Sequence, residues 1–250
     1  MECLKFDLGG KTAFFKKPEI NDINFTFNNI HKIAILGTIG AIIGLNGRQQ
    51  SKESGKIDFY EKLKGTDVSI VSHSPYFSKT YTIFNNATGF ANKNANSKHG
   101  ATQNIKQQWL TNPKWTIYLK QGALDNAMWG KIKEYFLQGN YVYEPYLGGK
   151  SHIANITNVN LIDIEGVENK EDIYKVDSLV KYNEIIDIDS QVYENCEDEY
   201  SYCLKEYTPI RLDDRGLYIT EKMLHTNYEI YEVENTNNFY KYNDNILYFI

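Results

Sequence analysis

Three glycines, Gly37, Gly40 and Gly44, punctuate an apolar run from Lys32 to Leu45. This run constrains the fold more than any other stretch. At about 100° per residue it reads as a helix whose glycines fall on one narrow stripe, with Leu36, Ile39, Ile42 and Ile43 opposite. Each interior glycine costs about 0.5–1 kcal/mol relative to alanine. Something therefore comes close to the backbone there, and a packed neighbouring element and a phosphate both qualify. The run is preceded by a period of two: Leu4, Phe6 and Leu8 point one way, Lys5 and Asp7 the other. That is a half-buried strand, ended by Gly9-Gly10. The loop between strand and helix interleaves Lys11, Lys16 and Lys17 with Phe14 and Phe15.

Downstream, residues 46–64 are polar, with a short helix expected around Ile57–Leu63. Thr66–His73 and Ser78–Phe84 are β-prone runs on either side of a Ser74-Pro75 turn. Asn85–Gln107 is rich in Asn, Gly, Ala and Lys and too poor in apolar residues to bury a surface alone. A bare loop of that length inside a domain is usually functional or disordered. Trp109–Lys120 returns to a strand after Asn112-Pro113, and Leu124–Leu137 is an amphipathic helix ended by Gln138-Gly139-Asn140. A segment with Pro145 and Gly148-Gly149 leads into a strand over Asn155–Val167. Residues 168–200 are acidic and are expected as strands or loops on the outside. Tyr202–Leu212, Leu217–Ile219, Tyr228–Val233 and Asn238–Ile250 are short β-prone runs. The expected class is α+β with a β-rich C-terminal part.

The net charge of −5 conceals an asymmetry. Residues 1–120 carry 16 Lys+Arg against 8 Asp+Glu, a net of +8, and residues 121–250 carry 11 against 24, a net of −13. Between Asp67 and Asp125 there is no acidic residue, while Lys79, Lys93, Lys98, Lys106, Lys114 and Lys120 lie there. A solvated surface normally mixes signs. A polyanion is drawn to the first half and repelled by the second, which points to a nucleic-acid face.

Other function classes find little support. Gly10-Lys11-Thr12 suggests a P-loop, but the glycine required five residues earlier is Lys5. There is no G-x-S-x-G, no H-E-x-x-H and no ordered Asp/His cluster, so no metal or cofactor is expected. Cys3, Cys196 and Cys203 are too few for a disulfide framework and lack zinc-site spacing. No signal peptide is visible, and Ile33–Leu45 is shorter than the ~20 residues that cross a bilayer. A cytoplasmic protein without a membrane partner is the expectation. His31, His73, His152 and His225 are isolated and receive no role.

The strand, the loop with Gly10, Ala13, Phe15 and Pro18, and the helix with Gly37, Gly40, Ala41, Gly44 and Leu45 resemble the N-terminal hallmark of the CRISPR-associated Cas-five family. That family belongs to the repeat-associated mysterious protein (RAMP) superfamily. Asn112–Leu119 (NPKWTIYL) and Glu144–Ile156 (EPYLGGKSHIANI) are similar to its type I-B Cascade branch, and Tyr207–Tyr218 is similar more faintly. The resemblance implies an RRM-like (ferredoxin-like) domain over residues 1–160 with a protruding thumb hairpin at about 85–107. A small β-rich subdomain would follow over 161–250. It implies a non-catalytic subunit of the Cascade surveillance complex that caps the 5′ handle of the guide crRNA in antiviral defence. Its partners would be the backbone subunit and the large subunit, with target DNA engaged indirectly. The RNA-binding residues expected are Lys11, Lys16, Lys93, Lys98, His99 and Lys106 for phosphates, Gly37 and Gly40 for close backbone approach, and Phe14 and Phe90 for stacking. The alternative is the metal-independent endoribonuclease of the type I-C branch, which processes pre-crRNA, with Lys98 and His99 as its catalytic pair.

Overall fold

A computed structural model describes residues 1–19, 23–51, 55–87, 102–192 and 200–250. The alternating N-terminal run is strand β1 (Glu2–Gly9), followed by β2 (Thr12–Ala13), helix α1 (Lys32–Ile43), helix α2 (Asp58–Leu63), β3 (Asp67–Ser72), β4 (Lys79–Ala87), β5 (Thr102–Thr111), β6 (Lys114–Lys120), helix α3 (Asn126–Gln138) and β7 (Asn155–Asp163). Four of these strands form one antiparallel sheet in the order β3-β6-β1-β7. The chain thus runs strand, helix, two strands, helix, strand, with the first and third strands in the middle. Leu4, Phe6 and Leu8 of β1 and Trp115, Ile117 and Leu119 of β6 bury into one cluster with α1 and α3. The rings of Phe6 and Phe136 stand 4.7 Å apart at its centre.

The glycine stripe of α1 is filled from within the chain. Phe59 of α2 lies across it: a Cβ on Gly40 would sit 2.7 Å from the Phe59 Cβ, and Gly37 faces the same ring at 3.8 Å. The expected approach of RNA at Gly37 and Gly40 is therefore corrected. That face is occupied by a packed helix, and Gly40 is buried. Gly44 ends α1 in the left-handed region at φ 81. The N-terminus of α1 is capped by His31, whose Nδ1 accepts from the Ala34 N–H at 3.2 Å. Asp125 does the same for α3, accepting from Met128 N–H at 2.7 Å.

The C-terminal part comprises β8 (Glu165–Gly166), β9 (Val180–Lys181), β10 (Ile185–Val192), β11 (Cys203–Leu212), β12 (Tyr218–Thr226), β13 (Tyr228–Val233), β14 (Phe239–Tyr242) and β15 (Asn245–Tyr248). They form small sheets, β11-β12-β9, β10-β13 and β15-β14-β8. One expectation changes here. Residues 168–200 are not simply external, because Ile173, Val176, Leu179, Val180 and Ile185 are buried. The C-terminal part has a core cluster of its own, with Val176, Ile230, Val233 and Phe239 among its members, and it also reaches into the first. Leu179, Ile210, Leu212 and Met223 belong to the same cluster as α1 and the four-stranded sheet, and β7 runs across residue 160 to Asp163. Leu247 and Phe249 pack with Cys3 and Tyr118 on the helix-free face of that sheet, so the C-terminal part covers one end of this face.

Candidate nucleic-acid interface

Residues expected as a finger, 85–107, enter the structure as the ends of two paired strands. β4 and β5 pair from Lys79↔Leu110 out to Ala87↔Thr102. Phe90, Lys93, Lys98 and His99 lie outside the described residues, as does Cys196. Trp109 belongs to β5 rather than to the strand beginning at Lys114. The hairpin grows from the ends of β3 and β6.

The loop after β1 braces this hairpin. β2 pairs with β5 through Thr12↔Thr111 and Ala13↔Leu110. Further out, Asn24 N–H donates to Lys106 O at 2.9 Å, and Gln108 N–H donates to Asn24 O at 3.0 Å. Lys17 N–H donates to Phe25 O and Phe27 N–H to Phe15 O, folding the loop on itself.

The register places Lys79, Tyr81, Ile83 and Lys106 on one face of the hairpin. Lys106 is exposed, and Tyr81 and Ile83 are 57% and 63% exposed. Tyr81 is not adrift: Gln108 Nε2 donates to its hydroxyl at 3.0 Å, and Phe25 meets its ring edge-on at 6.4 Å. The Lys79 ammonium reaches Asn28 Oδ1. Cations alternating with a held aromatic ring are what a single strand of nucleic acid binds: phosphates to the first, bases to the second. Sequence reasoning does not single out Lys79, Tyr81 and Ile83 as site residues. The K-T-Y-T-I alternation marks a strand, but only the pairing with β5 shows which of its residues share a face with Lys106.

Lys11 and Lys16 are exposed near the hairpin's base. Lys17 is committed to an ion pair with Glu206 of β11. Phe14 is half-buried, its N–H donating to Leu147 O at 3.0 Å. Beneath it Gly148 adopts φ +84, and a Cβ there would lie 1.9 Å from the Phe14 carbonyl oxygen. The Gly148-Gly149 segment thus seats the Lys/Phe loop. His152 joins the same seam, its Nδ1 2.7 Å from Thr12 Oγ1 and its ring 4.8 Å from that of Trp109. Phe14 and the lysines at 11, 16 and 106 are thereby drawn to one region, while Gly37 and Gly40 are not part of it.

A second polar cluster lies on the helix-free face of the sheet, at the hairpin's root. Asp7 is buried, and its Oδ1 accepts from Thr116 Oγ1 at 2.7 Å. Its Oδ2 accepts from Asn158 Nδ2 at 2.9 Å and lies 3.1 Å from the Lys114 ammonium. Burial pushes the Asp7 pKa up, but the bonds from Thr116, Asn158 and Lys114 outweigh it and leave the carboxyl below its ordinary value. His73 Nε2 stands 2.7 Å from Thr116 Oγ1. Asn158 reaches over because β7 shifts register opposite Lys5 and Asp7, with Asn158 itself at φ 53.

Part of the C-terminal half carries the opposite charge. Residues 182–192 and 228–235, which hold β10 and β13, contain Glu184, Asp187, Asp189, Glu229, Glu232 and Glu234 and no Lys or Arg. Among the described residues no His/Cys/Asp/Glu group is arranged to hold a metal ion, and no helix is long and apolar enough to cross a membrane.

No family profile and no curated protein matches the sequence. Solved structures do match. A chain described as a CRISPR RNA-guided surveillance complex superposes with a TM-score of 0.52, covering 90% of each chain at 13% identity. The two chains share a fold. At lower scores, a CRISPR protein from Archaeoglobus fulgidus aligns over 99% of this chain and 98% of its own at 13% identity, TM-score 0.44. A chain of the type III-B Cmr-beta complex bound to cognate target RNA and AMPPnP aligns over 99% and 86% at 13% identity, TM-score 0.45.

Proposed function

We propose that this chain is a non-catalytic RNA-binding subunit of a CRISPR surveillance complex, of the type I-B Cascade kind. In this reading the β3-β6-β1-β7 sheet with α1 and α3 is an RRM-like domain, and the β4–β5 hairpin is a thumb laid over the 5′ handle of the guide crRNA. Lys11, Lys16, Lys79 and Lys106 neutralise phosphates, and the sequence between β4 and β5 adds Lys93, Lys98 and His99. Tyr81, with Phe14 and Phe90, stacks on splayed bases. The acidic half turns away from RNA and toward the backbone and large subunits. The observation that carries the reading is a basic, aromatic hairpin face on a fold shared with a chain of a surveillance complex.

The test is equilibrium binding of repeat-derived RNA across a range of salt. Replacing Lys79 and Lys106 together by Ala is expected to lower the slope of log affinity against log salt by about 0.7 for each phosphate no longer neutralised. An unchanged slope would remove both lysines from the interface. Tyr81→Ala is expected to weaken binding by about 1–3 kcal/mol with the slope intact, because the ring holds a base and not a phosphate. Weaker binding that comes with a reduced slope instead would mean that the hairpin, not the ring, had been disturbed.

A further inference from the structure

The cluster at the hairpin root has a fixed hydrogen direction. Asp7 is an ionised carboxylate and can only accept, so the Thr116 hydroxyl must donate its one hydrogen to it. Thr116 Oγ1 must then accept from His73, which fixes the imidazole proton on Nε2. In the neutral ring Nδ1 is left as a bare acceptor, and it has no partner among the described residues. Neutrality is favoured by burial and by the charges around the ring. Burial and Lys114 push its pKa down, Asp7 pulls it up, and Lys5 pushes it down again, with a net lowering. The His73 side chain is 35% exposed and that of Lys114 48%. Both face solvent across the helix-free end of the sheet. The two flank one carboxylate, His73 Nε2 4.0 Å from Asp7 Oδ1 and Lys114 Nζ 3.1 Å from Oδ2. An ammonium has three donors, and Asp7 uses one of those on Lys114.

We propose that this sheet end reads ribose: His73 Nδ1 accepts a hydrogen bond from a 2′-hydroxyl while the remaining N–H groups of Lys114 hold an adjacent phosphate. A hydroxyl donor beside an anion is the signature of a ribonucleotide, and deoxyribose lacks the donor. The inference rests on the RNA-binding reading above. It adds to it the residue that tells RNA from DNA.

The experiment compares binding of the purified full chain to short labelled single strands of one sequence, made as RNA, as DNA and as 2′-fluoro RNA. The fluorine keeps an RNA-like sugar and removes the donor. In His73→Phe the affinity for RNA is expected to fall about threefold to tenfold, the worth of one neutral hydrogen bond. Affinities for DNA and 2′-fluoro RNA should stay where they were, which also shows that the variant is folded. His73→Gln is expected to keep the RNA preference, since its amide donates to Thr116 and still offers an acceptor. An unchanged RNA preference in His73→Phe overturns the proposal, and so does an equal loss for all three strands. If the unaltered chain binds none of the three strands, the RNA-binding reading itself fails.

Discussion

Acidification from pH 6.5 toward pH 4 is expected to destabilise the fold through His31 by about 1.4 kcal/mol per pH unit. His31 is buried, with Phe15, Phe27 and Tyr218 around it at ring distances of 5.9, 5.4 and 5.4 Å. Desolvation pushes its pKa down to about 3. Its Nδ1 must also remain unprotonated to accept the Ala34 N–H. The folded state therefore refuses a proton that the unfolded state takes up near pH 6.5. The stability is whole above that pH and is lost as the pH falls toward the folded value. His73 and His152 are shifted in the same direction, so the bare pH profile does not isolate His31. Comparison with His31→Asn does, because Asn also caps helices but does not titrate. The variant starts less stable, having lost ring packing, and its profile between pH 6 and pH 4 should be shallower by about the slope above. Parallel profiles for the two proteins would exclude His31 as the group responsible.

Trp115→Ala is expected to cost about 3–5 kcal/mol, read as a shift in the urea midpoint at unchanged m. Trp115 is wholly buried where three parts meet. It extends from β6, meets Phe77 just before β4 at 5.2 Å and Phe15 of the Lys/Phe loop at 6.0 Å, and donates its indole N–H to Asn29 Oδ1 at 3.0 Å. Its removal opens a cavity and also strands a buried amide oxygen. Trp115→Phe separates the two, restoring most of the packing and leaving only the orphaned Asn29, at about 1–3 kcal/mol. A Phe variant as damaged as the Ala variant would show that the hydrogen bond, not the volume, ties the hairpin root to the sheet.

What can be read in the sequence follows from which forces leave a mark there. The alternation of Leu4, Phe6 and Leu8 is written by burial on one side, and it lies within β1. The run Tyr228–Val233 is β13 as expected. Helix α3 follows its apolar face and ends at Gly139, in the left-handed region at φ 67. The hairpin strand β5 leaves no such mark, because much of its outer half is polar and gains its order from backbone pairing with β4. The glycine stripe announces a close approach but not by what, since Phe59 comes from a helix that begins only at Asp58. Ile173, Val176, Leu179 and Val180 are buried yet lie among acidic neighbours that hide them in the sequence. The candidate site is half legible. Charge segregation locates its lysines, but the joining of Asp7, His73, Thr116 and Lys114 depends on strand order and cannot be found in spacing.

The helix-free face of the sheet is already roofed from Tyr118 onward. Tyr242 stands 6.1 Å from Tyr118 with the Lys5 ammonium 5.0 Å above its ring, and Tyr240 and Phe249 enclose the Lys120 ammonium at 3.8 and 4.5 Å. At the other end Asp7 and Thr116 are themselves buried, and what faces solvent is the side chains of Lys114 and His73, 48% and 35% exposed. At ~3.3 Å per residue the stretch from Lys114 to Thr116 is about 10 Å long, room for about one or two nucleotides if this end binds RNA as proposed. On the proposed reading a longer strand would leave this end for the β4–β5 hairpin, a turned path with a small footprint on the sheet.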